Sequence, residues 1–320
     1  MKKLLITRAM PDATIAAAQA RFEVDLRESM DGMMVDEAAA ALADYDVILP
    51  TLGDQFTAEA FAGDIRCKVL ANFGVGYNHI DVDAARKAGV AVTNTPDAVT
   101  DATADLAMTL ILSACRKAGE GERLLRSGLW LGWQPTQMLG THVTGKRLGI
   151  VGMGRIGLAM AKKAHDGFGM KILYHNRKPV NESDISPLPA EYCAELPVLL
   201  QRSDFVALHC PGGKQNYHLI NAESLAHMRK DAFLINTARG DVVDEAALVD
   251  ALQQGRIAGA GLDVYEREPQ VTAALLSMEN VVLLPHLGSA TTATRVAMGM
   301  RVLRNLDAFF AGEQMPDRVV

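Results

Sequence analysis

Gly152-Met153-Gly154-Arg155-Ile156-Gly157 sets three glycines at the G-x-G-x-x-G spacing. The apolar run 148–151 leads straight into them, and Leu158-Ala159-Met160-Ala161-Lys162-Lys163 continues with helical composition. Between a strand and a helix each glycine has its own duty. The first permits a tight turn, the second lets backbone approach a pyrophosphate, and the third allows close helix–strand packing. Amides at the helix start then face phosphate oxygens. The motif predicts a dinucleotide site built on Gly152, Gly154, Arg155 and Ile156.

In such sites an acid about 20 residues further on binds the ribose 2′-hydroxyl of NAD. Here the position is Asn176, followed by Arg177 and Lys178. The acid is missing. A carboxylate would repel a 2′-phosphate, whereas a guanidinium can hold one bidentately. Asn176, Arg177 and Lys178 therefore favour NADP(H), with NAD(H) left open if the stretch is only a solvated basic turn.

Three later stretches follow apolar runs. They are Ile235-Asn236-Thr237-Ala238-Arg239-Gly240, then Gly261-Leu262-Asp263-Val264-Tyr265-Glu266-Arg267-Glu268-Pro269, then Leu284-Pro285-His286-Leu287-Gly288-Ser289. In open α/β sheets ligands bind at the carboxyl ends of strands, so all three are candidate ligand loops. Taken singly, Arg239 reads as an ion-pair partner and His286 as a loop histidine. Glu266 and Glu268 are close rivals for any acidic role.

The elements that must carry these loops alternate along the chain. Short apolar runs at 4–7, 47–49, 69–71 and 90–92 read as buried strands, with helical stretches at 13–21 and 35–43 between them. The pattern restarts at 148–151, 172–174, 205–208, 233–235, 260–262 and 281–284. Strands alternating with helices imply parallel sheets covered on both faces. The expectation is an α/β chain of two doubly wound parallel-sheet domains. The break falls between Pro96 and Asp101, with Asp101 as a helix cap and Asp105 adding charge to the first turn. A final apolar helix at about 293–310 could pack on either block.

Length and composition agree with this plan. The chain has 320 residues, 49% hydrophobic and 22% charged, enough for two cores. A net charge of −6 argues against a nucleic-acid partner, which wants a basic face, but not against a small anion held by local cations. Cys67, Cys115, Cys193 and Cys210 are scattered, which predicts free thiols in a reducing compartment and no metal site. No secretory signal is visible, and the most apolar helical run, 106–115, is too short for a bilayer span of about 20 residues. The chain reads as cytoplasmic, without a membrane partner.

The glycine loop and the three strand-end stretches, in this order and spacing, resemble the D-isomer-specific 2-hydroxyacid dehydrogenases over essentially the whole chain. Asn94-Thr95-Pro96-Asp97, Thr100-Asp101-Ala102-Thr103-Ala104-Asp105 and Trp130-Leu131-Gly132-Trp133-Gln134-Pro135 are similar to the glyoxylate/hydroxypyruvate reductases within that family. The resemblance implies Arg239, Glu268 and His286 as catalytic residues, since the family places its acid directly before proline. It implies a Rossmann cofactor domain over 99–288 and a flavodoxin-like substrate domain formed by 1–98 plus 289–320, with a cleft that closes on substrate.

That chemistry suits the residue types. A guanidinium can bind and polarise a 2-oxo acid by charge-assisted hydrogen bonds. Hydride arriving at the carbonyl carbon leaves an alkoxide that needs a proton. An imidazolium, with an unperturbed pKa of about 6.5, can give it. A carboxylate behind the ring favours the charged form and orients it.

By the same resemblance Thr103, Cys210, Pro211, Thr237, Ala238, Asp263 and Gly288 join the cofactor site. His209-Cys210-Pro211 forms the loop beside the nicotinamide, and His79 and His209 are structural. Leu52 and Gly53, with backbone amides around Val75 and Gly76, join Arg239 and His286 around the substrate. The implied product is a 2-hydroxy acid made from glyoxylate or hydroxypyruvate. The implied assembly is a homodimer, with Leu106, Met108, Leu110, Ile111, Leu112 and the 130–135 arm as candidate contacts; core packing explains those aliphatics equally well. The alternatives are a broader 2-ketoacid or D-lactate-type dehydrogenase, and a dinucleotide-sensing corepressor on the same fold.

Overall fold

The computed structural model describes all residues, Met1–Val320. The chain divides into two compact units, Met1–Val99 with Ser289–Val320, and Thr100–Gly288.

The first unit runs β1 (Lys3–Ile6), α1 (Asp12–Gln19), β2 (Glu23–Leu26), α2 (Val35–Asp44), β3 (Val47–Leu49), β4 (Val69–Ala71), α3 (Val82–Lys87) and β5 (Ala91–Thr93). The strands form one parallel sheet in the order β2-β1-β3-β4-β5, the flavodoxin-like order. Strands β3, β4 and β5 are buried along their whole length. Their Val, Ile and Leu side chains need cover on both faces, which helices supply. β5 sits one residue later than its apolar run suggests. β2, absent from the sequence expectation, is an edge strand whose Glu-Val-Asp-Leu is mostly exposed, so it carries no apolar run.

The second unit continues with α4 (Thr100–Cys115), α5 (Ala118–Arg126), β6 (Arg147–Val151), α6 (Arg155–Phe168), β7 (Lys171–His175), α7 (Glu182–Ile185), β8 (Ala190–Tyr192) and α8 (Leu196–Arg202). It ends with β9 (Phe205–Leu208), α9 (Ala222–His227), β10 (Phe233–Asn236), α10 (Glu245–Gln253), β11 (Gly259–Leu262), α11 (Ala273–Leu276) and β12 (Val281–Leu283). Its parallel sheet has the order β12-β11-β10-β9-β6-β7-β8. Strand order therefore reverses between β6 and β9, and a crevice for ligand opens where two neighbouring strands send their chains opposite ways.

Two expectations need correction in this unit. Asp101 lies inside the first turn of α4 rather than before it, so it is no cap; with Asp105 it pairs with Lys163 Nζ instead, at 3.2 and 3.0 Å. Met108, Leu110 and Ile111 are core residues, the last two fully buried, and are not available as surface contacts. Trp130 and Trp133 are 49% and 81% exposed on an arm without regular structure.

Helix α12 (Thr292–Phe310) returns to the first unit, which settles the choice that periodicity left open. It packs so near α1 that a Cβ on Gly299 would stand 2.3 Å from Thr14 Oγ1. Beyond it, Asp317 accepts from Arg301 Nε and Nη2 at 2.9 and 2.8 Å and from Asn305 Nδ2 at 2.9 Å. Burial works to raise this carboxyl, but Arg301 and Asn305 outweigh it and hold it below the usual range. A carboxyl depressed in the folded state stabilises above its unfolded value of about 3.9 and ceases to do so as pH falls through its folded value. Asp317→Asn is thus expected to cost about 2 kcal/mol at neutral pH. The gap to the unaltered protein should close in urea titrations below about pH 3.9. A gap constant from pH 7 to 3 would refute the assignment. No helix is long and apolar enough to cross a membrane.

Candidate active site

The glycine loop leaves β6 and enters α6. Gly152 has φ +100°, and a Cβ there would stand 2.5 Å from the Cys210 amide, so only glycine lets the loop after β9 pass against it. A Cβ on Gly157 would stand 2.3 Å from Gly152 O, which enforces helix on strand. Gly154 meets nothing within 4 Å, and α6 starts from it without a side-chain cap. An open glycine before an uncapped helix start, with Arg155 and Ile156 in its first turn, is a cradle for a pyrophosphate.

Asn176, at the end of β7, accepts from the Met153 amide at 2.7 Å and so braces the loop. Arg177 and Lys178 are exposed, and Arg177 Nη1 donates to Gln215 Oε1 at 3.1 Å with no carboxylate in the pair. His209 has both ring nitrogens sealed from solvent and unpartnered; burial pushes it down to about 4, so it is neutral. Cys210 is pushed up to about 11 by burial and remains a thiol, with Pro211 exposed beside it. Thr237 holds a buried hydroxyl with no partner. These residues fit a dinucleotide: an open cradle, a cationic turn after the next strand and, two strands along the sheet the other way, an unsatisfied hydroxyl.

Beyond β10, Asn236 fixes the turn, accepting from the Ala238 amide at 3.0 Å and donating to Arg239 O at 2.9 Å. Arg239 Nη1 donates to Ala238 O at 2.6 Å, and its guanidinium forms no ion pair. Burial pushes it down, opposed by Glu268 and Asp241. A Cβ on Gly240 would overlap the Tyr265 carbonyl, so this glycine lays the Arg239 loop on the Tyr265-Glu266 backbone. Glu268 accepts from the Tyr265 amide at 3.1 Å and faces His286 Nδ1 at 2.8 Å. Its burial favours protonation, but the bond and charge of His286, the Tyr265 amide and Arg239 together hold its carboxyl below the usual range. Glu266 is paired elsewhere, with His218 at 3.1 Å. Of the two glutamates, Glu268 is thus the one that faces His286.

His286 sits at φ +53°, a left-handed conformation that costs a non-glycine residue roughly 1 kcal/mol or more. Its loop is held from beneath by Asp263. His286 N donates to Asp263 O at 2.9 Å, while Leu287 and Gly288 amides donate to the carboxylate at 2.6 and 2.8 Å. Thr103 Oγ1 donates to Gly288 O at 3.1 Å. Asp263 is 1% exposed and its carboxyl is raised, chiefly by burial. Asp263, Thr103 and Gly288 therefore form a brace for the His286 loop.

In the first unit, Gly53 has φ +95° and Leu52 is half-exposed after β3. After β4, Asn72 Nδ2 donates to Gly74 O and Gly76 O, both at 3.0 Å, and Asn94 Nδ2 donates to Val75 O at 2.9 Å. In a trans peptide the N–H points opposite to the C=O, so fixing the Gly74 and Val75 carbonyls aims the Val75 and Gly76 amides away from the two asparagines. Successive amides left without a carbonyl partner are the kind of donors from which anion nests are built. No group of three or more His, Cys, Asp or Glu could hold a metal ion.

The family model for the D-isomer specific 2-hydroxyacid dehydrogenase NAD binding domain matches residues 108–288. A glyoxylate reductase of Thermococcus onnurineus (strain NA1) is 45% identical over 323 residues, covering 99% of this chain and 95% of the relative. The chain belongs to the D-isomer-specific 2-hydroxyacid dehydrogenases. Among solved structures this dehydrogenase resembles a protein from Thermus thermophilus, with TM-score 0.92 and 39% identity over 99% of this chain and 100% of that one. It also resembles an NADPH-dependent glyoxylate/hydroxypyruvate reductase from Sinorhizobium meliloti, solved with NADP and malonate; the TM-score is 0.87 and identity 36% over 100% and 97% of the two chains.

It is an NAD(P)-dependent D-2-hydroxyacid dehydrogenase with two parallel-sheet α/β units. Gln215 carries no motif and acts through its bond to Arg177, 38 positions away in the sequence. Asn236 and, in the other unit, Asn72 bond to carbonyls of their own loops, a few residues on.

Proposed function

We propose that this dehydrogenase reduces glyoxylate and hydroxypyruvate with NADPH, His286 giving the proton. The observation that carries the reading is His286 Nδ1 on Glu268 at 2.8 Å, with an unpaired Arg239 guanidinium at the neighbouring strand end. The nicotinamide, when bound, supplies the hydride to the carbonyl carbon. Arg239 holds the 2-oxo acid and draws charge onto its carbonyl oxygen by charge-assisted hydrogen bonds. Nδ1 being committed to Glu268, His286 presents Nε2–H to the forming alkoxide and protonates it. Glu268 offsets the charge of the imidazolium and fixes the ring plane. In the reverse direction neutral His286 takes the hydroxyl proton at Nε2.

The Thr100–Gly288 unit serves the cofactor and the other unit the substrate, whose carboxylate lies on the Val75 and Gly76 amides with Leu52 and Gly53 beside it. Asn176, Arg177 and Lys178 take the 2′-phosphate, the Arg177–Gln215 bond leaving guanidinium donors for it. The relatives named glyoxylate reductase and the NADP-bound neighbour support substrate and cofactor alike. The working form in this reading is a cytoplasmic homodimer, with the exposed Trp130 and Trp133 arm in its interface.

Cofactor-oxidation assays with NADPH and NADH against glyoxylate, hydroxypyruvate, pyruvate and phosphohydroxypyruvate test this. NADPH is expected to give the higher kcat/KM, and the first two acids to exceed the others. Turnover of none of them would sink the reading; an NADH preference would sink its cofactor half alone.

A further inference from the structure

Glu266 stands two residues before Glu268 and takes no part in the chemistry above, yet its bonds tie three strand-end loops together. His218 Nε2 lies 3.1 Å from Glu266 Oε1, and His218 Nδ1 lies 3.9 Å from Asp244 Oδ2. The His218 ring stacks on Tyr217 with centroids 3.9 Å apart. His218 N donates to Asp241 O at 2.8 Å, and Gly213 N donates to Asp241 Oδ2 at 2.7 Å, so the loop after β9 is fastened to the loop after β10.

A second acid completes the arrangement. Glu266 N donates to Glu245 Oε1 at 2.6 Å, and Glu245 N donates to Glu266 Oε2 at 3.4 Å, each carboxylate accepting the other's amide. Glu245 Oε2 also accepts from Thr272 Oγ1 at 2.5 Å. Glu245 is 6% exposed, at the start of α10. The segment that carries Glu268 is thus gripped two residues before it and four residues after it. Keeping two carboxylates this close in a buried place is costly unless each is hydrogen-bonded, and here each is.

We propose that Glu245, Glu266 and His218 are positioning residues that fix the place of Glu268, and through it the aim of His286. The inference rests on the reading that Glu268 and His286 handle the proton. The charged groups around that pair are Arg239 and Asp263; those around His218 are Glu266 and Asp244. The clasp therefore adds no charge in contact with His286. It acts through the backbone, by holding Glu268 within reach of Nδ1.

A double-mutant cycle in the full-length enzyme with NADPH and glyoxylate tests it. Glu245→Ala is expected to lower kcat about tenfold, with the KM for NADPH unchanged, because a proton donor displaced by a fraction of an ångström loses rate steeply. The solvent deuterium isotope effect on kcat should rise as proton transfer slows. In a Glu268→Gln background the same substitution is expected to change neither quantity. An equal loss in both backgrounds, or none in the first, overturns the proposal. If Glu245→Ala does not fold, His218→Phe decides it, since that change keeps an aromatic ring against Tyr217 and removes the ring's contacts with Glu266 and Asp244, neither of which touches His286. It should lower kcat about threefold, again only where Glu268 is present. Unaltered turnover in Glu268→Gln alone would mark a different failure, that of the role given to Glu268, and would remove the proposal with it.

Discussion

Replacing His286 with alanine is expected to lower kcat for glyoxylate reduction by at least about a hundredfold, the lower range of what a positioned acid contributes. The cofactor cradle is built from Gly152, Gly154 and the start of α6, none of which leans on this side chain, so NADPH should still bind with an unaltered Kd. Oxidation of the 2-hydroxy acid should fall by the same factor, because one ring gives the proton in one direction and takes it in the other. Stopped-flow and steady-state rates in both directions check this. A variant within about tenfold of the unaltered enzyme would leave no room for His286 as the proton donor.

Arg239→Gln is expected to lower kcat/KM by about 100- to 1,000-fold, the scale of losing a donor aimed at a developing oxyanion. Two physical effects add here. The guanidinium is desolvated and has no ion-pair partner, so its charge is little screened and its remaining donors can serve a ligand. Its loss also leaves Glu268 without a neighbouring cation that helps to keep it ionised. Arg239→Lys should recover only part of the rate, since an ammonium cannot reproduce the planar fork. Full activity in the lysine variant would show that charge alone is used and would discard bidentate binding.

Much of the fold was legible because buried parallel strands read as continuous apolar runs. Val47, Ile48 and Leu49 or Phe205, Val206, Ala207 and Leu208 can hardly be anything else between helices. Edge strands escape that signal: β2 presents Glu23, Asp25 and Leu26 to solvent, and β8 is Ala-Glu-Tyr. Local signals misled where a long-range partner competed. Asp101 looked like a cap, but Lys163, 62 positions away, draws it into an ion pair inside the helix. The glycine loop was visible because its spacing is a local pattern, although the close approach of Cys210 that Gly152 admits is not. The choice between Glu266 and Glu268 came only from the family's placing of its acid before proline; residue types left it open, since the contacts with His218 and His286 join segments well apart in the sequence. Asn176 was singled out by its distance from the glycine loop, yet its grip on Met153 could only come from folding β6 beside β7.

The first unit owes its last helix to the end of the chain, and this bears on how the protein emerges from a ribosome. Synthesis runs from the N-terminus, and domains generally fold as they appear. Helix α1 buries Thr14 and Ala18, and Thr14 meets Gly299, 285 positions later in the chain. The Thr100–Gly288 unit is a continuous stretch and can complete its own core first. The opening 99 residues must wait with an uncovered sheet face while it does so. Slowed translation or a stall beyond Gly288 should therefore expose the older half of the molecule to chaperones and proteases, leaving the younger half intact.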